Sequence, residues 1–154
     1  MTSAYLTEKQ LLIWDLHRLG RTQADIGREI DATRQAAHNA LKISLGKVEA
    51  ALRHTAEASM IETRHVDPKN GILLGTMPSN DSRVIITFSK RYGMHTWHYE
   101  EPTCQGCRWT KRCTERLFNE AEERKIELGE DERKLPPSRL ANFIFSRLIP
   151  ELEA

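Results

Sequence analysis

Cysteine is scarce in this chain of 154 residues, and all three copies fall in one stretch, CQGCRWTKRC, from Cys104 to Cys113. Three thiols cannot all pair, because one disulfide uses two and strands the third. The chain also has no apolar run near the roughly 20 residues that cross a bilayer, so no membrane partner is expected. Its opening, MTSAYLTEKQ, lacks the basic and apolar regions of a secretory signal, and the expectation is a cytoplasmic protein. In that reducing compartment a Cys cluster points to metal before a structural disulfide. Excess charge is missing too: 23 Lys and Arg against 22 Asp and Glu leave +1. Any nucleic-acid partner must therefore be met by a local patch. No GxSxG, no HExxH and no Walker-type glycine loop occurs. Only the adjacent carboxylates Glu100 and Glu101 would serve an enzyme acting on nucleic acid, with no second carboxylate pair to join them, so the chain is not expected to be an enzyme. Internal repeats and low-complexity tracts are also absent.

What is present is a soluble, globular composition, 39% hydrophobic and 29% charged, whose patterning changes period along the chain. In LTEKQLLIWDLHRLG, Thr7 with Gln10 three places on makes a capping box, Leu12, Leu16 and Leu19 recur at helical spacing, and Gly20 follows. Thr22 caps a second helix in which Ile26 and Ile30 share a face, and Thr33 caps a long third one. From residue 61 the text is short, β-branched and punctuated. Ile61–Val66 and Ile72–Met77 flank the turn Asp67-Pro68-Lys69-Asn70-Gly71, Val84–Phe88 adds a strand, and His95–Tyr99 a fourth. TERLFNEAEERKIELG predicts a charged helix ending at Gly129. SRLANFIFSRLIP predicts another, capped by Ser138, with Leu140, Phe143, Ile144 and Leu148 on one face and Pro150 as its stop.

From Gln23 to Lys42 the row QADIGREIDATRQAAHNALK has the parts of a helix-turn-helix. Gly27 is the small residue where two helices cross, Ile26 and Ile30 face Ala37, Ala40 and Leu41, and Ala32 lies in the turn. Asp31 stands where Gly is frequent, and Asp tolerates a left-handed backbone better than most residues. A helix beginning at Arg34 would lie in the major groove of double-stranded DNA. Arg34, Gln35, His38, Asn39 and Lys42 would meet the bases, because Arg and Lys suit guanine O6 and N7 while Gln and Asn pair bidentately with adenine. Thr33 and the first amides would hold a phosphate, and Arg18, Arg21 and Arg28 are the cations nearest for backbone contacts. This stretch, with LTEKQ leading into it, resembles the helix-turn-helix of archaeal regulators of the Tfx type and, more distantly, sigma-factor region 4 and LuxR-type domains. The resemblance implies a transcription regulator whose third helix reads DNA, and it covers well under half of the chain.

The spacing C-x2-C-x5-C places three thiols on one loop, with Gly106 relaxing the turn between the first two. It resembles the three-cysteine end of iron–sulfur proteins such as the WhiB regulators and the iron-staple nucleases, which carry a fourth Cys far upstream. This chain has no fourth Cys. His98, six residues before Cys104, or His95 would complete a Cys3His set, with His98 favoured by proximity. Strand alternation puts the two histidines on opposite faces, so at most one is a ligand. Thiolates bind both zinc and iron, and Trp97, Tyr99 and Trp109 nearby in sequence favour a shielded [4Fe-4S] cluster over Zn2+.

The expected architecture is α+β. Residues 1–58 form a helix-turn-helix DNA-binding domain, and residues 59–154 a metal-binding sensor and dimerisation domain with a small antiparallel sheet, a Cys-rich metal loop and two carboxy-terminal helices. The expected function is a DNA-binding transcriptional regulator in which the cluster senses redox state or metal, the last helices serving a homodimer or plain core. The alternative is a regulator with structural zinc and a small-molecule or protein ligand.

Overall fold

Three threonines start the three amino-terminal helices. In the computed structural model, which describes residues 5–99 and 104–153, Thr7 caps α1 (Glu8–Arg18), Thr22 caps α2 (Gln23–Glu29) and Thr33 caps α3 (Arg34–Ala58). At α1 and α2 the cap is reciprocal. The Thr side chain accepts from the third helical amide, while the residue there, Gln10 or Asp25, reaches back to the Thr amide. Each such cap is worth about 1 kcal/mol. Four strands follow, β1 (Glu62–Asp67), β2 (Ile72–Met77), β3 (Ser82–Ser89) and β4 (Gly93–His98), paired antiparallel in sequence order. The chain closes with α4 (Thr110–Glu123), α5 (Glu130–Arg133), α6 (Pro137–Ser146) and a 3-10 turn at Pro150–Glu153. The protein is therefore mixed helix and sheet. Glu100 and Glu101 lie outside the described residues.

The central strands are apolar on both faces, and both faces are covered. On one side Leu73, Val84, Ile86 and Phe88 pack against Leu11 and Trp14 of α1 and Val48, Leu52 and Ala56 of α3. On the other, Ile72, Leu74, Ile85 and Trp97 pack against Leu117 and Ala121 of α4 and Leu140, Ile144 and Phe145 of α6. A smaller cluster, Ile13, Ile26, Ala37 and Leu41, joins the three amino-terminal helices. The apolar face of α6 is thus buried in the chain's own core, the second of the two roles expected for it. Continuous packing also runs across residue 58, where a domain boundary was expected, since α3 is anchored by its carboxy-terminal half to the sheet.

Two helix ends differ from expectation. The charged helix stops at Glu123, not at Gly129. Arg124 is its cap, Lys125 turns left-handed at φ 56°, and the amides of Lys125 and Ile126 close on the carbonyls of Glu122 (3.1 Å) and Ala121 (2.9 Å). This is the termination normally given to Gly, and a Lys adopts it because the half-buried Ile126 beyond it packs on the core. At α6 the cap is Pro136, not Ser138. Pro137 holds the first helical position, where its missing N–H costs nothing. The helix ends at Ser146, before Pro150.

Arg124 has a second task. Its fully buried guanidinium donates through Nε to the Asn70 carbonyl (2.9 Å), through Nη2 to the carbonyls of Gly71 (3.3 Å) and Phe88 (3.1 Å), and through Nη1 to the carboxylate of Glu120 and its carbonyl (3.4 Å). Glu120 also accepts from Thr87 Oγ1 (3.0 Å), which in turn accepts from Trp97 Nε1 (3.1 Å). Burial pushes the Glu120 carboxyl above its ordinary range, and Arg124 opposes that push. Replacing Arg124 by Met leaves the buried Glu120 without its counter-charge and takes a donor from three carbonyls, so stability should fall by about 3–5 kcal/mol in chemical denaturation. Arg124→Lys keeps the charge without the fork and should recover less than half of that. A loss below about 1 kcal/mol for Arg124→Met would show that water replaces the guanidinium.

Candidate functional site

The crossing of α2 and α3 is set by one glycine. A Cβ on Gly27 would lie 2.8 Å from the Ala32 carbonyl oxygen and 3.3 Å from that of Thr33, both main-chain atoms. Between the helices Asp31 takes the left-handed conformation, φ 54°, as its side chain allows. Ala37 and Leu41 of α3 then face inward, and Arg34, Gln35, His38, Asn39 and Lys42 are all exposed. They are partly ordered among themselves: Gln23 Nε2 lies 2.8 Å from His38 Nδ1, and Gln35 Nε2 donates to Asn39 Oδ1 at 3.3 Å. Thr33 Oγ1 accepts from the Ala36 amide at 3.1 Å. The first turn of α3 carries no acidic residue, whereas α1 and α2 begin with Glu8 and Asp25. The first turn of α3 thus supplies no counter-charge of its own to the positive end of the helix dipole.

Of the three cations expected nearby, Arg21 and Arg28 are exposed, and Arg28 pairs with Asp25. Arg18 is not available for such contacts. Its side chain is buried over the Trp14 ring, paired with Asp15 and with Glu123 at 3.4 Å.

The cysteines sit on a turn and the helix that follows it. The Cys107 amide donates to the Cys104 carbonyl at 3.1 Å, with Gly106 at φ 77° between them, and Cys113 lies in the first turn of α4. Thr110 Oγ1 closes the loop on the Cys104 carbonyl at 2.8 Å. Cys107 is exposed, while Cys104 and Cys113 are half-buried. Burial, and after it the neighbouring thiols of Cys104 and Cys107, push the Cys113 thiol above its ordinary range. The three sulfurs thus share one electrostatic neighbourhood. They do not form a metal site as they stand, because among the described residues no group of three His, Cys, Asp or Glu side chains is arranged to hold a metal ion.

The two histidines part company as strand alternation requires. His98 pairs across from Val84, on the sheet face covered by α1 and α3, and is exposed. His95 pairs across from Thr87 on the α4 face, its ring 3.9 Å from that of Trp97 and its Nδ1 2.7 Å from Arg116 Nη1. Burial, with Arg116 beside it, lowers the His95 pKa to about 4, so it is a neutral imidazole at pH 7. It is therefore His95, not the His98 favoured by proximity in sequence, that shares a cavity with Cys113. Of the aromatics expected to shield the cysteines, Trp97 and Tyr99 belong to the core and Trp109 is 47% exposed.

The residue that the sequence reading passed over here is Arg116; it lines the same cavity as Arg112, which the sequence offers, with Arg108 and Lys111, only as a cation to offset thiolate charge. Arg108, Arg112 and Arg116 recur every four residues, a helical stripe of one sign that would have marked the face. Comparison of the chain with protein-family models, curated proteins and solved structures gives no match in any of the three. The α2–α3 geometry gives a direct check. Gly27→Ala should push the helices apart and lower stability by about 1–3 kcal/mol, while Gly46→Ala, at a helical site with open space around the missing Cβ, should change it little or raise it. Equal melting temperatures for the two variants would contradict the tight crossing.

Proposed function

We propose that this chain is a cytoplasmic regulator that binds double-stranded DNA, with α2 and α3 as a helix-turn-helix and α3 in the major groove. The observation that carries the reading is the outer face of α3. Arg34, Gln35, His38, Asn39 and Lys42 are presented together, and no carboxylate occurs from Ala32 to Val48. Such a face is more than solubility requires, and its side chains are those that discriminate base edges. Arg21 and the amino-terminal end of α3 near Thr33 supply phosphate contacts. Residues 1–58 then serve as the reading head, and residues 59–154 as the part that holds and conditions it. α3 is 25 residues long, about 37 Å at 1.5 Å per residue, so one rigid rod carries the reading face at one end and is gripped by the sheet at the other. A homodimer reading two half-sites would use a surface other than the buried face of α6.

For the cysteine loop the reading is metal-dependent regulation, through a [4Fe-4S] cluster or, as the alternative, structural zinc with a separate ligand. The CxxC turn and the mutual influence of the three thiols support it. The present arrangement of the described side chains does not complete such a site.

Two measurements test these readings. After selection of a preferred fragment from genomic DNA, Arg34→Ala/Gln35→Ala should weaken specific binding about tenfold or more, with the melting temperature unchanged. Lys42→Ala should weaken binding to all fragments and reduce the salt slope by about one. Equal retention of the double variant and the parent on every fragment would remove the DNA reading. Anaerobic purification with metal analysis and absorption spectroscopy should find iron with sulfide, or zinc, held by Cys104, Cys107 and Cys113 and lost in Cys107→Ser. Colourless, metal-free and correctly folded protein would remove the metal reading alone.

A further inference from the structure

A cavity of about 250 Å3 opens between β4 and the first two turns of α4, lined by His95, Trp109, Arg112, Cys113 and Arg116. Its chemistry is one-sided. Because Arg116 Nη1 donates to His95 Nδ1, the imidazole carries its proton on Nε2, which makes it a donor too. Among the described residues the lining therefore has two arginines, an imidazole N–H, an indole and a thiol, and no carboxylate. Neither Arg112 nor Arg116 forms an ion pair with a carboxylate among the described residues. The two lie one helical turn apart on α4, a like-charge spacing that costs a few tenths of a kcal/mol. Arg116 is fixed between His95 and the Tyr92 ring, its guanidinium carbon 5.3 Å from the ring centre. Trp109 stands exposed at the mouth, with the guanidiniums of Arg108 and Arg112 at 5.0 and 5.3 Å from its ring.

We propose that this cavity binds a small planar carboxylate, its carboxylate oxygens held by Arg112 and Arg116 and its ring laid against Trp109. The guanidinium fork matches a carboxylate in two parallel hydrogen bonds. A cavity of about 250 Å3 has room for a single-ring acid. The cavity lies on the sheet face opposite the one covered by α3, apart from the surface assigned to DNA. The site goes beyond the DNA reading and does not depend on it.

The test uses the full chain with benzoate, nicotinate and 2-furoate as probes, and with benzamide and inorganic phosphate as controls. Calorimetry and tryptophan fluorescence read out binding. At least one ring carboxylate should bind at 1:1 stoichiometry and change the Trp109 emission. Benzamide, of the same shape without charge, should bind about tenfold more weakly than benzoate or worse. Arg112→Met, at an exposed position that leaves the melting temperature unchanged, should weaken carboxylate binding about tenfold, and Arg116→Met at least as much. Trp109→Leu should retain calorimetric binding of reduced strength and lose the fluorescence response. The proposal is overturned if none of the three carboxylates saturates by about 10 mM. It is equally overturned if benzamide or phosphate matches them, or if Arg112→Met binds as the parent does.

Discussion

The buried guanidinium of Arg124 is the constraint on which the arrangement of the carboxy-terminal half depends. A helix packed on a sheet by apolar contact alone can slide, because dispersion and hydrophobic burial have no direction. Arg124 removes that freedom. Its five donors reach three main-chain carbonyls at the end of the sheet and two oxygens of Glu120, one turn back on the same helix. Glu120 in turn is tied through Thr87 to the indole of Trp97. The axial position of α4 is thereby fixed, and so is everything at its other end: the turn of Cys104 to Cys107, Cys113, and the Arg112–Arg116 pair facing β4.

The same end of the sheet is gripped from the opposite face. Trp14 of α1 donates from Nε1 to the Pro68 carbonyl at 2.9 Å and meets Phe88 edge-on at 4.9 Å, while Arg124 takes the carbonyls of Asn70 and Gly71 in the same turn. Arg18 then joins the helices directly, binding Asp15 on its own helix and Glu123 at the end of α4, while Lys90 reaches Asp15 at 3.0 Å. These charges are mostly buried, so they act as positional pins more than as sources of net stability. The amino-terminal helices are therefore not tethered by α3 alone. They share with α4 one turn and one ion-pair cluster, and a displacement of α4 is felt by α1 without passing through the apolar core.

Much of this was legible in the chain as text, and the exceptions have a common cause. Capping threonines, strand alternation and the Asp67–Gly71 turn are local signals, and they located α1, α2, α3 and all four strands. Gly27 and Asp31 were legible because a tight crossing admits few residue types. The end of α4 was not, because Lys125 takes a Gly-like conformation for the sake of Arg124 and Ile126, whose burial is a tertiary fact. Arg18 was read as a free cation for the same reason. Asp15 and Trp14 lie within four residues on its own helix, but the partner that closes the cluster, Glu123, is 105 residues away. Sequence proximity favoured His98 over His95, yet the pleat decides which imidazole faces α4.

That last point bears on how chemistry is distributed over the two faces of the sheet. Alternation along β4 sends His95 and Trp97 toward α4 and Met94 and His98 toward α1 and α3. The α4 face thus receives the donor-rich cavity and the thiols, whereas the α3 face receives apolar anchorage for a helix whose free end is polar and unopposed by acid. A one-residue slip of β4 would exchange these sets, putting His98 under α4 and Trp97 against α3. Register along β4 is held on its α4 side by Trp97 Nε1 on Thr87, and Thr87 is held by Glu120, the partner of Arg124. The contact that fixes α4 on the sheet therefore also fixes which residues α4 faces, and the separation between an exposed helix tip and a cationic cavity follows from it.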